Sequence, residues 1–269
     1  MPLSRHGSSF PFSPLSFGSR SLGGSFSDPH SPLPPTLYHP RRRDRGVDRL
    51  IRLTVESELF AKGVYNALAF IPANSALPDV YFRVNAALGR LEIIGTDGYA
   101  VGMATVPFTD YEGGPQATEF LIHKGKADTK VAEGAAGLER TVRIAGKGPC
   151  EVVIGQGVVE VRPMGGEALT AALEASTDRL PAYRHLAKEI TEAERRPGVL
   201  PGVLCWDFAL LARFAKVKAD KATGRMGDCL FGPDPLDPVF VKIGTDFKGL
   251  VMPVDREVNG KNIGEEGLW

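Results

Sequence analysis

From residue 50 onward, hydrophobic and polar positions fall into short blocks whose period switches between two and about 3.6. Arg52-Leu53-Thr54-Val55 reads as a short strand. Ser57 to Phe70 predicts a helix with Leu59, Phe60, Val64, Ala67 and Leu68 on one side. Three strands are predicted next, at Val80–Val84, Leu91–Gly95 and Ala100–Phe108. Asp97-Gly98 lies between the last two, and Asp-Gly between alternating apolar runs is a strong hairpin signal. The order then recurs. Glu119–Ile122 reads as a strand, Lys126–Ala136 as a small-residue helix, and Thr141–Ala145, Cys150–Ile154 and Val158–Arg162 as three strands. A β-α-β-β-β unit in tandem is an architectural signal in its own right.

Residues 165–197 break this rhythm. Glu167–Ala175 is helix-like, Leu180-Pro181-Ala182-Tyr183-Arg184 reads as an extended or turning piece, and Leu186–Arg196 is charged and helical. A third unit follows. Val203–Cys205 reads as a strand, and Asp207–Lys218 as a helix with Leu210, Phe214 and Val217 at i, i+4 and i+7. Strands are predicted at Asp228–Phe231, Val239–Ile243 and Leu250–Pro253, the last closed by a proline that cannot extend a hydrogen-bond ladder. The pattern is α+β.

Composition adds bounds. The chain has 269 residues, 43% of them hydrophobic, enough for one large domain or two small ones with a real core. Lys+Arg and Asp+Glu both number 32, which argues against a wholly basic nucleic-acid binder but leaves local patches open. Cys150, Cys205 and Cys229 are odd in number and lack Cys-x-x-Cys spacing, so buried reduced thiols are expected. No apolar run approaches membrane-spanning length, and a soluble, cytoplasmic protein is expected.

Residues 1–46 differ from the rest, with abundant Ser, Pro and Gly, the pair Pro34-Pro35 and the cluster Arg41-Arg42-Arg43. Such a composition predicts disorder. A plain tail, an over-extended start with true initiation near Val47, and a transit peptide all remain open; Asp28 is the only acid before Asp44.

The hairpin carrying Thr96-Asp97-Gly98, the stretch Leu180-Pro181-Ala182-Tyr183-Arg184 and the strand carrying Val251-Met252-Pro253 occur in that order around the repeated units. In this the chain resembles the bacterial DNA polymerase sliding clamp, whose own central stretch reads Phe-Pro-Asp-Tyr-Arg. The resemblance runs from about Arg52 to Arg256. It implies a clamp domain at 50–164, a helical linker at 165–198, a half clamp domain with the closing strand at 199–257, and a loose tail at 258–269. It also implies helices on the inner, DNA-facing side and antiparallel sheets outside. A bacterial clamp protomer has six such units, whereas three are counted here, which fits trimmed domains and suggests a short phage version.

In that family, partners insert a short linear peptide between the middle and last domains. The matching positions are Thr96, Gly98, Tyr99, Ala100 and Val101 of the hairpin, Pro181 and Arg184 of the central stretch, and Leu250, Val251, Met252, Pro253 and Val254 of the last strand. They would form an apolar cleft with a flexible methionine. Plain strand core is the competing reading for Val101, Leu250, Val251 and Val254. Tyr99 and Ala100 stand where the family has His and Arg, which shifts the expected peptide preference.

The resemblance further implies a DNA-facing surface. Lys124, Lys126 and Lys130 gather around the second helix, and Arg213, Lys216, Lys218, Lys221 and Arg225 on and after the third. Basic helix faces can hold phosphates without reading bases, although an ordinary solvated face explains any single lysine equally well.

The implied role is a processivity factor. Its partners would be double-stranded DNA, a replicative polymerase and a clamp loader, the last two through short peptides; the chain would be a homo-oligomer. A clamp-fold adaptor that binds replication or transcription proteins without encircling DNA is the alternative. An enzyme would need Asp97 to serve a metal or phosphate. No second carboxylate motif, P-loop or complete dinucleotide fingerprint supports this, and Gly155-Gln156-Gly157 is only a strand turn. His6, His30, His39, His123 and His185 have no ligand or triad spacing. No cofactor is expected.

Overall fold

The computed structural model describes residues 51–113, 118–125, 133–155, 158–172, 175–176, 180–199, 205–219 and 226–254. The first unit follows the expected order: β1 (Ile51–Glu56), α1 (Ser57–Leu68), β2 (Asp79–Asn85), a 3-10 turn at Ala86–Leu88, β3 (Arg90–Thr96) and β4 (Ala100–Glu112). Phe60, Val64 and Ala67 share the buried side of α1, whereas Leu59, expected there, is 37% exposed. The start of α1 takes its acceptor from afar. The Ser57 amide and hydroxyl both donate to the Gly148 carbonyl, at 3.0 and 2.8 Å, which satisfies a helix-terminal donor.

The second unit is β5 (Glu119–His123), α2 (Gly134–Ile144), β6 (Pro149–Gly155), β7 (Val158–Pro163) and β8 (Leu169–Ala172). Its helix sits later than the expected Lys126–Ala136, of which residues 126–132 lie outside the described residues. Thr141–Ala145 is not a strand; Thr141 to Ile144 closes α2. Thr141 and Val142 favour strands intrinsically, but Leu138 and Val142, at i and i+4, are fully buried against the core. The Thr141 hydroxyl donates back to the Gly137 carbonyl at 2.8 Å. Burial overrides propensity here. The third strand is β8, within the stretch Glu167–Ala175 that was expected to be helical.

Then come β9 (Ala175–Ser176), α3 (Leu180–Ala193), α4 (Phe208–Phe214), β10 (Asp228–Leu230), β11 (Val239–Ile243) and β12 (Phe247–Val251). The stretch Leu180–Arg184 is not extended: it opens α3, where Pro181 is tolerated because first-turn amides have no intrahelical acceptor. The strand expected at Val203–Cys205 falls mostly outside the described residues, and Cys205 is irregular. α4 stops at Phe214 instead of Lys218, and β12 begins at Phe247, ending before Met252-Pro253.

The strands form an order β8-β7-β6-β1-β4-β3-β2-β5-β9, with β12, β11 and β10 branching from β4. All described pairings are antiparallel. β4 is the shared member. One edge carries β3, from Arg90 opposite Pro107 to Thr96 opposite Val101. The other carries β12 along Ala100–Ala104 and then β1 along Phe108–Glu112.

Because side chains alternate across a strand, the sheet around β4 has two apolar faces. Ala100, Ala104, Phe247 and Val251 pack with Phe70 and with Leu210 and Phe214 of α4. Ile93 and Val106 continue that face into the core under α1 and α2. On the opposite face Val101, Met103, Phe240 and Leu250 meet Leu180, Tyr183, Ala187 and Ile190 of α3. Helices α1, α2 and α4 therefore share one side, as the expected architecture requires, while α3 covers part of the side expected to be bare sheet. Of the three free cysteines, Cys150 is buried as anticipated, but Cys205 is half-buried and Cys229 exposed. Among the described residues no helix is long and apolar enough to cross a membrane.

Candidate functional site

The hairpin turn is built by its own polar side chains. Thr96 is fully buried; its hydroxyl donates to the Ala100 carbonyl at 2.9 Å and accepts from the Gly98 amide at 3.0 Å. Asp97 Oδ1 accepts from the amides of Tyr99 and Ala100, both at 3.0 Å. Gly98 has φ +94°, a left-handed value that side chains disfavour. The turn's large apolar side chain is Tyr99, 67% exposed.

β12 runs beside this hairpin, with Leu250 opposite Val101 and Val251 opposite Ala100. The contact continues past the strand end, where the Met252 amide donates to the Tyr99 carbonyl at 3.0 Å. The Val254 amide then donates to the Cys205 carbonyl at 2.9 Å. Met252-Pro253-Val254 thus passes from the turn to the segment that starts α4. Asp207 caps that helix, its Oδ1 accepting from the Ala209 amide at 2.7 Å. α4 seats closely because Gly249 has no side chain: a Cβ there would stand 2.8 Å from the Phe214 ring and 2.5 Å from the Val101 carbonyl oxygen. From this seat Arg213 reaches Asp97, Nη1 to Oδ2 at 2.5 Å.

The twelve cleft positions expected from the sequence separate accordingly. Thr96, Ala100, Val101, Leu250 and Val251 are buried, Leu250 within the core against α3. Gly98 shapes the turn. Tyr99 and Met252 are open to solvent, and Pro253 and Val254 are half-buried. Pro181 and Arg184 are exposed but stand elsewhere. Arg184 pairs with Glu119 on β5, and β5 lies four strands from β12 through β2, β3 and β4, roughly 19 Å at about 4.8 Å per strand. The hairpin and the closing strand come together; α3 packs beneath them through Leu180, Tyr183, Ala187 and Ile190, but Arg184 is directed to β5.

Two further apolar side chains share that end of the sheet. Val251 is opposite Val239, and Leu230 opposite Phe240, so the β10–β11 connection lies at the Tyr99 end. It carries Leu236, 48% exposed, and Val199 joins it through a hydrogen bond that its backbone N–H donates to the Phe231 carbonyl at 3.0 Å. Leu236 is legible in hindsight as a lone apolar residue within Gly232-Pro233-Asp234-Pro235-Leu236-Asp237-Pro238. The pairing that brings it to the Tyr99 end of the sheet is not.

The basic positions also divide. Lys126, Lys130, Lys221 and Arg225 lie outside the described residues. Lys124 is half-buried, its ammonium donating to the Ile71 carbonyl at 2.9 Å, and burial pushes its pKa down. Arg213 is held by Asp97 and does not present its charge to an open face. Lys218 exchanges backbone bonds with the Asn66 amide group and rests its ammonium 3.5 Å from the Tyr65 ring centre. Lys216 is exposed. The later start of α2 brings out Arg140 and Arg143, both exposed, which the sequence reading passed over by ending that helix at Ala136. Acids temper this side: Glu139 faces Arg143 at 3.7 Å, and Glu58 faces Lys147 at 3.4 Å.

No protein-family model and no curated protein matches the chain. Solved structures do. The chain is similar to a sliding clamp (DNA polymerase III subunit beta) from Bartonella birtlesii, with 11% identity, TM-score 0.48, and coverage of 76% of this chain and 66% of that one. It is similar to the DNA polymerase III subunit beta from Pseudomonas aeruginosa, at 12% identity and TM-score 0.48, covering 76% and 65%. Against pol III beta of Caulobacter crescentus the values are 16% identity, TM-score 0.49, and 76% and 65% coverage. The fold that the described residues show is α+β, with the β-α-β-β-β unit occurring twice in tandem. The chain spans just under two thirds of the length of these structures.

Proposed function

We propose that this protein is a sliding-clamp-like DNA polymerase processivity factor that holds its polymerase through a short linear peptide seated beside Tyr99 and Met252. The observation that carries the proposal is the pairing of β12 with β4, which sets an exposed tyrosine and an exposed, flexible methionine next to each other. An exposed apolar surface of this kind suits extended peptides with aliphatic and aromatic side chains. Helices α1, α2 and α4 would face duplex DNA, with Arg140, Arg143, Lys216 and Lys218 meeting phosphates without reading sequence. In this reading the protein holds its partners without a chemical step, and Asp97 serves the turn: one carboxylate oxygen is engaged by turn amides and the other by Arg213. Encirclement would make polymerase rebinding intramolecular, so a weak peptide contact suffices for long residence. A clamp loader would use the same cleft. Three units in the chain, two of them complete among the described residues, would require more than one chain to close a ring, giving a homo-oligomer in a soluble, cytoplasmic, phage-type replication system.

The test is retention on DNA. After crosslinking, the protein should stay on nicked circular DNA and leave linear DNA through its open ends. Equal retention on both would remove the ring and favour the second reading, an adaptor that binds replication or transcription proteins without encircling DNA. The observation on that side is that Arg213 and Lys124, both expected to face DNA, are engaged within the protein.

A further inference from the structure

Asp97 divides its two carboxylate oxygens between two tasks. Oδ1 holds the amides of Tyr99 and Ala100, while Oδ2 faces Arg213 Nη1. Both side chains are largely shielded, Asp97 at 10% and Arg213 at 14% exposure. Arg213 Nη1 is buried and has no aligned hydrogen-bond acceptor, so the close charge of Asp97 is what occupies it. The guanidinium itself is placed by packing, because Phe214, the next residue, is pressed over Gly249 and stacks edge-on with Phe70 at 4.9 Å between ring centres.

We infer that Arg213 is a positioning residue of the cleft: by pairing with Asp97 it fixes the Thr96–Ala100 turn in the shape that sets Tyr99 beside Met252. This rests on the reading of Tyr99 and Met252 as a peptide site. The physical chain has three links. A carboxylate this shielded needs a counter-charge, or it turns toward water. Turning would release the Tyr99 and Ala100 amides that Oδ1 holds. The Tyr99 carbonyl is the acceptor for the Met252 amide, so a loosened turn loosens Met252 as well. Peptide affinity then falls in proportion to the remaining fraction of competent turn. Helix α4, assigned from sequence to the DNA side, thereby acts on the partner side.

The experiment has two arms on the full-length chain. In the first, amide hydrogen exchange of Met252 and Tyr99 is followed in the unliganded protein for wild type, Arg213→Met, Arg213→Lys and Asp97→Asn. Exchange at Met252 should quicken about tenfold in the Met and Asn variants and return toward wild type in the Lys variant, which keeps the charge. Unchanged exchange in folded Arg213→Met and Asp97→Asn overturns the inference. Should Arg213→Met fail to fold, Asp97→Asn and Arg213→Lys decide. In the second arm, a fluorescein-labelled linear peptide carrying leucine and phenylalanine is titrated by anisotropy. Binding should weaken about tenfold in Arg213→Met, and no further when Arg213→Met is added to Tyr99→Ala. Additive losses in that double variant also overturn it. A peptide indifferent to Tyr99→Ala and Met252→Ala removes the cleft reading and leaves the exchange result standing as a statement about the turn.

Discussion

Arg213 and Arg184 hold helices against opposite faces of one sheet, in different surroundings. Arg213 fastens α4 to the hairpin turn on one side. Arg184 fastens α3 to β5 on the other, through Glu119. Glu119 continues into a row of alternating charge, since Arg83 is opposite both Glu119 and Glu92, and Glu92 is 2% exposed between Arg83 and Arg90. Arg184 is 58% exposed, against 14% for Arg213. An ion pair shielded from water is strongly missed when one partner is removed, whereas an exposed pair is replaced by hydration at little loss. Two residues of one type, each with a carboxylate, thus differ in what they hold up.

The sharpest break in that contrast is Arg213→Met, expected to lower unfolding free energy by about 3 kcal/mol by stranding Asp97; urea denaturation reads it directly. Leu250→Ala should be comparable, about 2–4 kcal/mol, because Leu250 is core under α3 and its removal leaves a cavity. A smaller loss would return it to the cleft. Met252→Ala should barely change stability yet weaken peptide binding by about 1–2 kcal/mol, measured by calorimetric titration. Arg184→Ala should lower stability by less than about 1 kcal/mol and leave peptide affinity unchanged. A peptide loss there would move α3 into the site. The least effect belongs to Lys124. Burial lowers its folded pKa below the unfolded value, so the unfolded chain binds more protons and stability rises with pH between the two. A melting series from neutral pH to about 10 should show a gentle upward slope that Lys124→Met flattens.

Local chemistry made the first unit and the hairpin legible. Thr96-Asp97-Gly98 encodes a turn through side chain-to-amide bonds within four residues, and apolar stretches flank it on both sides. The placement of β12 beside β4 was carried by family likeness, as pattern alone says nothing about which strands pair. Failures cluster where tertiary burial decides. Thr141 and Val142 look like a strand and lie in a helix because the core accepts Leu138 and Val142 on one helical face. Pro181 looks like an interruption and opens a helix instead. Arg213 sits among Lys216 and Lys218 in the chain and reads as one of a basic group, yet its guanidinium points to a carboxylate that is remote in sequence and adjacent only in the fold.

β4 is paired with β3 along Val101–Pro107 on one edge, and on the other with β12 along Ala100–Ala104 and then with β1 from Phe108 to Glu112. Neither the amino-terminal module nor the closing strands can peel away without tearing a ladder from this one rib. Heating should therefore dismantle the described architecture in one step, with the central β4 amides among the last to trade their protons for deuterium.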